Sequence, residues 1–373
     1  MKITDVEAIY LKLPDLDATK CDGTQDTLLI RVCTDEGITG IGEVDSSPLV
    51  AKAVVDAPPS HSIATGLRSL LIGENPLEVE RLWDKMFRGT NYFGRTGPAL
   101  HAMSGVDIAL WDIVGKATGR SVCEMMGGIF RKKIKAYASA LMPETAKEAG
   151  ILAEHYAKQG YLSMKFGWGP IGRDFKLDEE LVKAIRSAVG DEIDIMIDAG
   201  QAWDLKGALR MAQVYEKYNV FWLEEPLHPN DLAGYRELSD RTNIYIAGGE
   251  QESGRQAFQR LLDEAHLDII QPDLARCGGL TEGKKIAYAA YDRHKKVVPH
   301  AFKTGILVAA STHFAAAIPN GFLIEYTVST SPLSRDLIEN PIEFKDGYVT
   351  VPESLPGLGV EVNEHILNKY RVC

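Results

Sequence analysis

From Ile134 onward the chain repeats one unit, a short β-branched run followed by a helix-length amphipathic segment. The runs are IKAYAS, YLSMKFG, EIDIMIDA, NVFWLEE, NIYIAGGE, LDIIQPD, KKVVPHA and GFLIEY. Strands joined by helices run in one direction, so the alternation predicts a parallel sheet. Eight units predict closure into a (β/α)8 barrel of the TIM type, residues 129–341. Ahead of it the rhythm differs. KITDVEAIYLKL alternates as a strand, and TLLIRVCTDEGITGIGEV gives two strands around the turn DEG, so residues 1 to about 55 read as β. From Pro76 to Gly128 the apolar spacing becomes helical, with Gly119 as a helix stop. Residues 1–128 therefore form an α+β module, and a chain of 373 residues suits two domains better than one core. The tail, 342–373, returns to strand and turn chemistry and is expected to pack back onto that first module.

In such a barrel the strand ends meet at one mouth, where active sites draw residues from several strands. The ionisable residues closing the runs are Lys165, Asp198, Glu224, Glu250, Asp273, His300 and Glu325, at gaps of 33, 26, 26, 23, 27 and 25 residues. Each gap is about one βα unit. Any one of these could be a solvated rim charge, but seven in register converge on one mouth. In WLEEP the side chains alternate faces. If Glu224 enters the mouth, Glu225 turns away toward the helix layer or a neighbouring loop, and Pro226 ends the strand. Glu224 has Asp198 one strand back and Glu250 one strand forward. Three such carboxylates do not all stay ionised side by side without a cation. An oxygen-only set with no cysteine and no clustered histidine suits Mg²⁺, with Mn²⁺ as a substitute, rather than zinc. A structural ion-pair cluster would need three cations, and the strands offer only Lys165. Asp273 and His300 close strands six and seven. A carboxylate beside a histidine fixes its tautomer and makes it more basic, as a general base or acid requires.

The 45 % apolar and 25 % charged fractions are those of a soluble globular protein. A net charge of −11 with no basic patch argues against nucleic acid as a partner. No apolar run approaches a membrane span and Met1 opens directly into an alternating strand, so a cytoplasmic protein without membrane contact is expected. The five cysteines, Cys21, Cys33, Cys123, Cys277 and Cys373, share no CxxC spacing and read as unpaired thiols of a reducing compartment.

Taken together, GVDIALWDIVGKATG (105–119), IDAG (197–200), WLEEP (222–226), AGGE (247–250), QPD (271–273), VPH (298–300) and PGLGVEV (356–362) resemble the enolase superfamily, in its mandelate racemase/muconate lactonizing enzyme branch. The resemblance covers essentially the whole chain and makes the first module a capping domain that the tail completes. It implies Asp198, Glu224 and Glu250 as Mg²⁺ ligands, Asp273 and His300 as a catalytic dyad, and Glu325 as an acid facing the substrate carboxylate across from the metal. The implied chemistry is removal of the proton alpha to a carboxylate, giving a metal-stabilised enediolate. It also implies assembly into a homo-oligomer.

The departures from the family pattern narrow the reaction. Where the branch commonly has Lys-x-Lys, this chain reads Lys165-Phe166-Gly167. Lys165 matches the lysine that contacts the substrate carboxylate, and Gly167 stands where the second base would be. Gly200 replaces a common asparagine, and both changes enlarge the mouth, with Trp168 and Trp203 placed to refill it. A racemase needs a base on each face, and only His300 is present. The expected activity is therefore dehydration of an acid sugar to a 2-keto-3-deoxy acid, with a lactone cycloisomerase as the alternative and a racemase or epimerase behind both. A scaffold relative with a vestigial site is disfavoured by the intact ligands and dyad. Substrate choice is expected to rest on the loops KCDGTQDT (20–27) and RGTNYFGRTGP (88–98), through Asp22, Gln25, Asn91, Tyr92 and Arg95. Arg276 is either a further substrate contact or a surface helix-capping cation. His228 and His313 read as structural.

Overall fold

The computed structural model describes residues 1–372; Cys373 lies outside them. Strands β1 (Ile3–Lys12), β2 (Asp26–Thr34) and β3 (Thr39–Val44) form an antiparallel sheet in chain order. The buried face of that sheet, with Val6, Leu28, Ile30 and Val44, packs on the helix Pro98–Thr118. Proline opens this helix, and Gly119 ends it in the left-handed conformation, φ 67°. The helix comes close because β3 carries Gly40 and Gly42. A Cβ at either would lie 2.0 or 1.9 Å from a helix carbonyl oxygen. The β reading of the first 55 residues extends too far, since Pro48–Asp56 is a helix that starts on the favourable Pro at its first turn.

The barrel strands are β4 (Lys133–Leu141), β5 (Ser163–Gly167), β6 (Asp194–Asp198), β7 (Val220–Glu224), β8 (Tyr245–Gly248), β9 (Ile269–Ile270), β10 (Lys296–Val297) and β11 (Leu323–Thr327). They pair in parallel in chain order, β11 pairs back on β4, and a bridge between Val297 and Gly321 closes the ring. The alternation of side chains sends Tyr137, Met196, Trp222, Ala247, Ile269, Val298 and Leu323 into the barrel, where they fill its interior. The opposite faces of the strands pack on the surrounding helices in the larger core.

The tail does two things. Its hairpin, β12 (Phe344–Lys345) and β13 (Tyr348–Thr350), adds an antiparallel edge to β4 and so belongs with the barrel sheet. Beyond the hairpin the chain returns to the first module. Leu358 donates its N–H to Asp112, Glu364 pairs with Arg31, and Arg371 bridges Leu11. Among the described residues no helix is long and apolar enough to cross a membrane. Among the same residues Cys21, Cys33, Cys123 and Cys277 are unpaired.

Candidate active site

The seven ionisable residues do converge, at three depths. Asp198 and Glu224 are the last residues of β6 and β7. Lys165 and Glu325 are the middle residues of β5 and β11, so they form the floor rather than closing their strands. Glu250, Asp273 and His300 follow β8, β9 and β10 on the connecting segments, and Asp273 and His300 are bridged to each other through the backbone.

On the floor, Lys165 Nζ lies 2.6 Å from Glu224 Oε1 and 3.0 Å from Glu325 Oε1. Burial opposes its charge, but the two glutamates hold the ammonium well above its ordinary pKa. Glu325 also accepts from Ser139 Oγ at 2.6 Å and from the Ala301 N–H at 2.7 Å. Burial would push Glu325 up, but Lys165 and His300 outweigh it and bring the carboxyl to about 2. Trp222 Nε1 donates to Glu224 Oε2 at 2.9 Å, so the residue two positions back on the same strand face fixes the carboxylate.

Asp198, Glu224 and Glu250 are all buried, and their ligand atoms lie within 4.8 Å of one another. Burial, then repulsion from Glu224 and Glu250, holds the Asp198 carboxyl well above the ordinary range. Glu250 Oε2 is 3.3 Å from His300 Nε2 without hydrogen-bond geometry, and it has no partner. Three buried carboxylates, one with an orphaned oxygen, fit a hard divalent cation. Glu225 turns away, as alternation requires. At φ 39° it accepts from Gly249 N–H at 3.3 Å and Gln251 Nε2 at 2.6 Å, in the loop after β8. Burial, then Glu250, raises it to about 8.

His300 Nδ1 lies 2.6 Å from Asp273 Oδ2, which leaves Nε2 facing the mouth. Burial would lower its pKa, but Glu250, Glu325 and Asp273 together raise it to about 10. Arg276 is no surface cap. Its Nη2 is 2.7 Å from Asp45 Oδ2 and its Nη1 donates to the Glu250 carbonyl at 3.1 Å. Asp45, just past β3, is therefore part of the mouth, and so is Lys303, 3.3 Å from Asp45 Oδ1. The strands thus supply one cation and the segments after them supply two more.

Lys165, Asp198, Glu250, Arg276, His300 and Glu325 line a cavity of about 290 Å³, roofed by Cys21, Asp22, Gly23 and Asp26, with Glu224 and Asp273 set behind its wall. A Cβ on Gly23 would lie 3.1 Å from the Phe302 carbonyl, so the roof sits close on the barrel. Trp168 lines the cavity, and its ring fills the space a side chain at 200 would occupy, 2.8 Å from a Cβ there. Trp203 instead packs beneath, beside Tyr215. Of the loop candidates only Asp22 lines the cavity. Gln25 folds back onto Asp17. Asn91, Tyr92 and Arg95 are exposed, because their loop is tied to the 63–65 segment through Ile63 and Thr65. His228 caps Asn230 locally, and buried His313 donates Nε2–H to the Leu358 carbonyl, so both are structural.

Asp45, Lys303, Ser139 and His101 were missed from sequence. His101 links Ser46 to Ser253 across the two modules, and burial lowers it to about 4, so it is neutral. The available signal was Glu43 and Asp45, two acids sharing one face at the end of an apolar strand.

Residues 3–127 match the N-terminal domain of the mandelate racemase / muconate lactonizing enzyme family, and residues 148–366 match the enolase C-terminal domain-like family. D-Galactarolactone cycloisomerase of Agrobacterium fabrum is 31% identical over 100% of this chain and 99% of its own. D-Gluconate dehydratase of Thermoproteus tenax is 31% identical over 99% of this chain and 74% of its own. The crystal structure of the 3,6-anhydro-D-galactonate cycloisomerase from Zobellia galactanivorans superposes with a TM-score of 0.90 at 32% identity, covering both chains in full.

Proposed function

The chain belongs to the mandelate racemase/muconate lactonizing enzyme family of the enolase superfamily, and from that premise we propose that it removes the proton alpha to the carboxylate of an acid sugar and expels the β-hydroxyl, giving a 2-keto-3-deoxy acid. The observation that carries this reading is Gly167. His300 stands on one side of the mouth, and across from it a side chain at 167 would strike Asp198, with a Cβ only 2.6 Å from the Asp198 Cβ. Position 167 therefore supplies no second base.

Asp273 accepts the Nδ1 proton of His300, which leaves Nε2 as the basic nitrogen toward the substrate. Nε2 takes the C2 proton; the electron pair moves toward the carboxylate and then expels the C3 hydroxyl. The same imidazolium returns the proton to the departing oxygen, so water leaves and the enol product tautomerises to the ketone. Lys165, fixed between Glu224 and Glu325, steadies the charge that develops on the carboxylate. Asp198, Glu224 and Glu250 would hold Mg²⁺ or Mn²⁺, which supplies positive charge to the ionising carboxylate and offsets the field of Glu250 on His300.

A second reading is lactone cycloisomerisation, in which the same base expels a ring oxygen. It is supported by the end-to-end match to two cycloisomerases, four named acid-sugar dehydratases being covered over 74–88% of their lengths. The two readings separate by product mass. Dehydration yields a keto acid lighter than its substrate by one water, and cycloisomerisation yields one of equal mass. The test incubates the protein and Mg²⁺ with aldonic acids, aldaric acids and their lactones in D₂O, with detection by NMR and mass spectrometry. His300→Asn is expected to lose both elimination and alpha-proton exchange. Recovered substrate that is deuterated and inverted at C2 would establish a second base and end the one-base reading.

A further inference from the structure

We propose that the cavity is built for an acid sugar with a single carboxylate and a neutral far end, and that it discriminates against the diacid of the same skeleton. The inference rests on the acid-sugar elimination proposed above and concerns the wall of the same cavity that the first module contributes. The wall contributed by the first module carries three carboxylates, Asp22, Asp26 and Asp45, and no lysine or arginine. The two cations that face this wall come from the barrel, and both are already engaged. Arg276 uses each of its three nitrogens on the protein. Nη2 pairs with Asp45 Oδ2 at 2.7 Å, Nε donates to the Asp45 carbonyl at 3.3 Å, and Nη1 donates to the Glu250 carbonyl at 3.1 Å. Lys303 is 2 % exposed and lies between Asp45 Oδ1 at 3.3 Å and Asp26 Oδ1 at 3.6 Å. At the floor, Lys165 is shared by Glu224 and Glu325.

Two cations thus face three carboxylates on this wall, with Asp45 and Arg276 beside the dyad and Asp22, Asp26 and Lys303 completing it. A second substrate carboxylate placed there meets net negative charge, and it gains a cation only by breaking a buried pair, which strands the displaced aspartate. A hydroxyl group has the opposite fit. It donates to a carboxylate in a charge-assisted hydrogen bond and needs no cation. The wall therefore recognises a polyol terminus, as in an aldonic acid or its anhydro form, and rejects an aldaric acid.

The test uses matched open-chain pairs that differ only in oxidation at C6: D-gluconate with D-glucarate, D-galactonate with D-galactarate, and D-mannonate with D-mannarate. For whichever skeleton reacts, the monoacid is expected to exceed its diacid in kcat/KM by tenfold or more. A diacid that equals or betters its monoacid overturns the proposal. Asp26→Asn and Asp45→Asn each free part of the charge on Lys303 or Arg276, and each is expected to move the monoacid-to-diacid ratio at least tenfold toward the diacid. The ratio is taken within one preparation, so partial misfolding does not mimic the effect. An unmoved ratio in Asp26→Asn also overturns the assignment. If no compound of the panel undergoes elimination, the functional reading falls. Calorimetric titration of the Mg²⁺-supplemented protein with the same pairs then decides the charge argument alone, with tighter diacid binding counting against it.

Discussion

Gly167 limits the mouth through volume as well as through chemistry. It ends β5 beside Asp198, and a Cβ there would approach Asp198 Cβ to 2.6 Å and Oδ2 to 2.9 Å, closer than such atoms pack. The neighbouring aspartate is also held by the Gly200 N–H at 2.9 Å, so it has little freedom to yield. Gly167→Ala is therefore expected to push Asp198 out of line with Glu224 and Glu250 and to weaken Mn²⁺ binding by roughly 10- to 100-fold, the usual scale for disturbing a ligand's support. Titration of Mn²⁺ into both proteins measures this directly. Equal affinity would mean that β5 shifts to make room, and that the missing second base reflects residue choice rather than packing. Glu225 is the complementary case. It neighbours a proposed ligand in sequence, yet its backbone turns to positive φ and its carboxyl serves the loop after β8.

At the scale of elements, β5, β4 and β11 are adjacent strands tied by one polar chain: Lys165 on β5, Ser139 on β4 and Glu325 on β11. Lys165→Met leaves Glu224 and Glu325 buried without their cation. Removing one partner of a buried pair costs about 3–5 kcal/mol. Urea unfolding should show a loss of that order, and Lys165→Met combined with Glu325→Gln should recover part of it. A single variant within about 1 kcal/mol of the native protein would show that the clamp is not what holds these strands. This clamp also marks where sequence reasoning stopped. One ionisable residue per βα unit was legible because the unit repeats, and so was the sharing of a face by Asp198, Glu224 and Glu250. Depth was not legible. Where a strand ends depends on pairing, and β9 and β10 pair over only two residues each, so Asp273 and His300 stand beyond them while Lys165 and Glu325 lie inside theirs. The loop 88–98 was misassigned for a related reason: glycine content suggests freedom but not direction, and hydrogen bonds to the 63–65 segment point the loop elsewhere. Asp45 with Lys303 and Arg276 joins residues far apart in the chain, and no periodicity reports such a pair.

The two modules of the whole molecule meet along the helix Pro98–Thr118 and the start of the helix Gly279–Tyr291. Trp111 Nε1 donates to Thr281 Oγ1 at 2.9 Å, the Gly278 N–H donates to Ser104 Oγ at 2.8 Å, and the Thr281 N–H donates to Asp107 Oδ2 at 2.9 Å. Gly278 and Gly279 take φ of 114° and 82°, and a Cβ at 279 would fall 2.3 Å from Asp107 Oδ2, so the seam admits the carboxyl only because the chain there is glycine. Asp107 Oδ1 has no partner. Burial raises the Asp107 carboxyl to about 7, and the Thr281 hydrogen bond only partly opposes it. Between the ordinary aspartate pKa and about 7, the unfolded chain has released this proton and the folded protein keeps it, so stability falls as pH rises through that window. An amide in place of this carboxyl does not titrate. The stability of Asp107→Asn relative to the native protein is therefore expected to rise from pH 5 to pH 8 by about 3 kcal/mol, at roughly 1.4 kcal/mol per pH unit over the two units between pH 5 and about 7. Taking the difference between the two proteins removes every titration they share, including those of the active site. Because Asp107 belongs to the seam, the gain should appear in the transition reported by probes in both modules rather than as a separate local step. A difference that stays flat across that range would mean that the seam carries an ionised carboxylate, and that the modules are joined by charge rather than by a buried neutral acid.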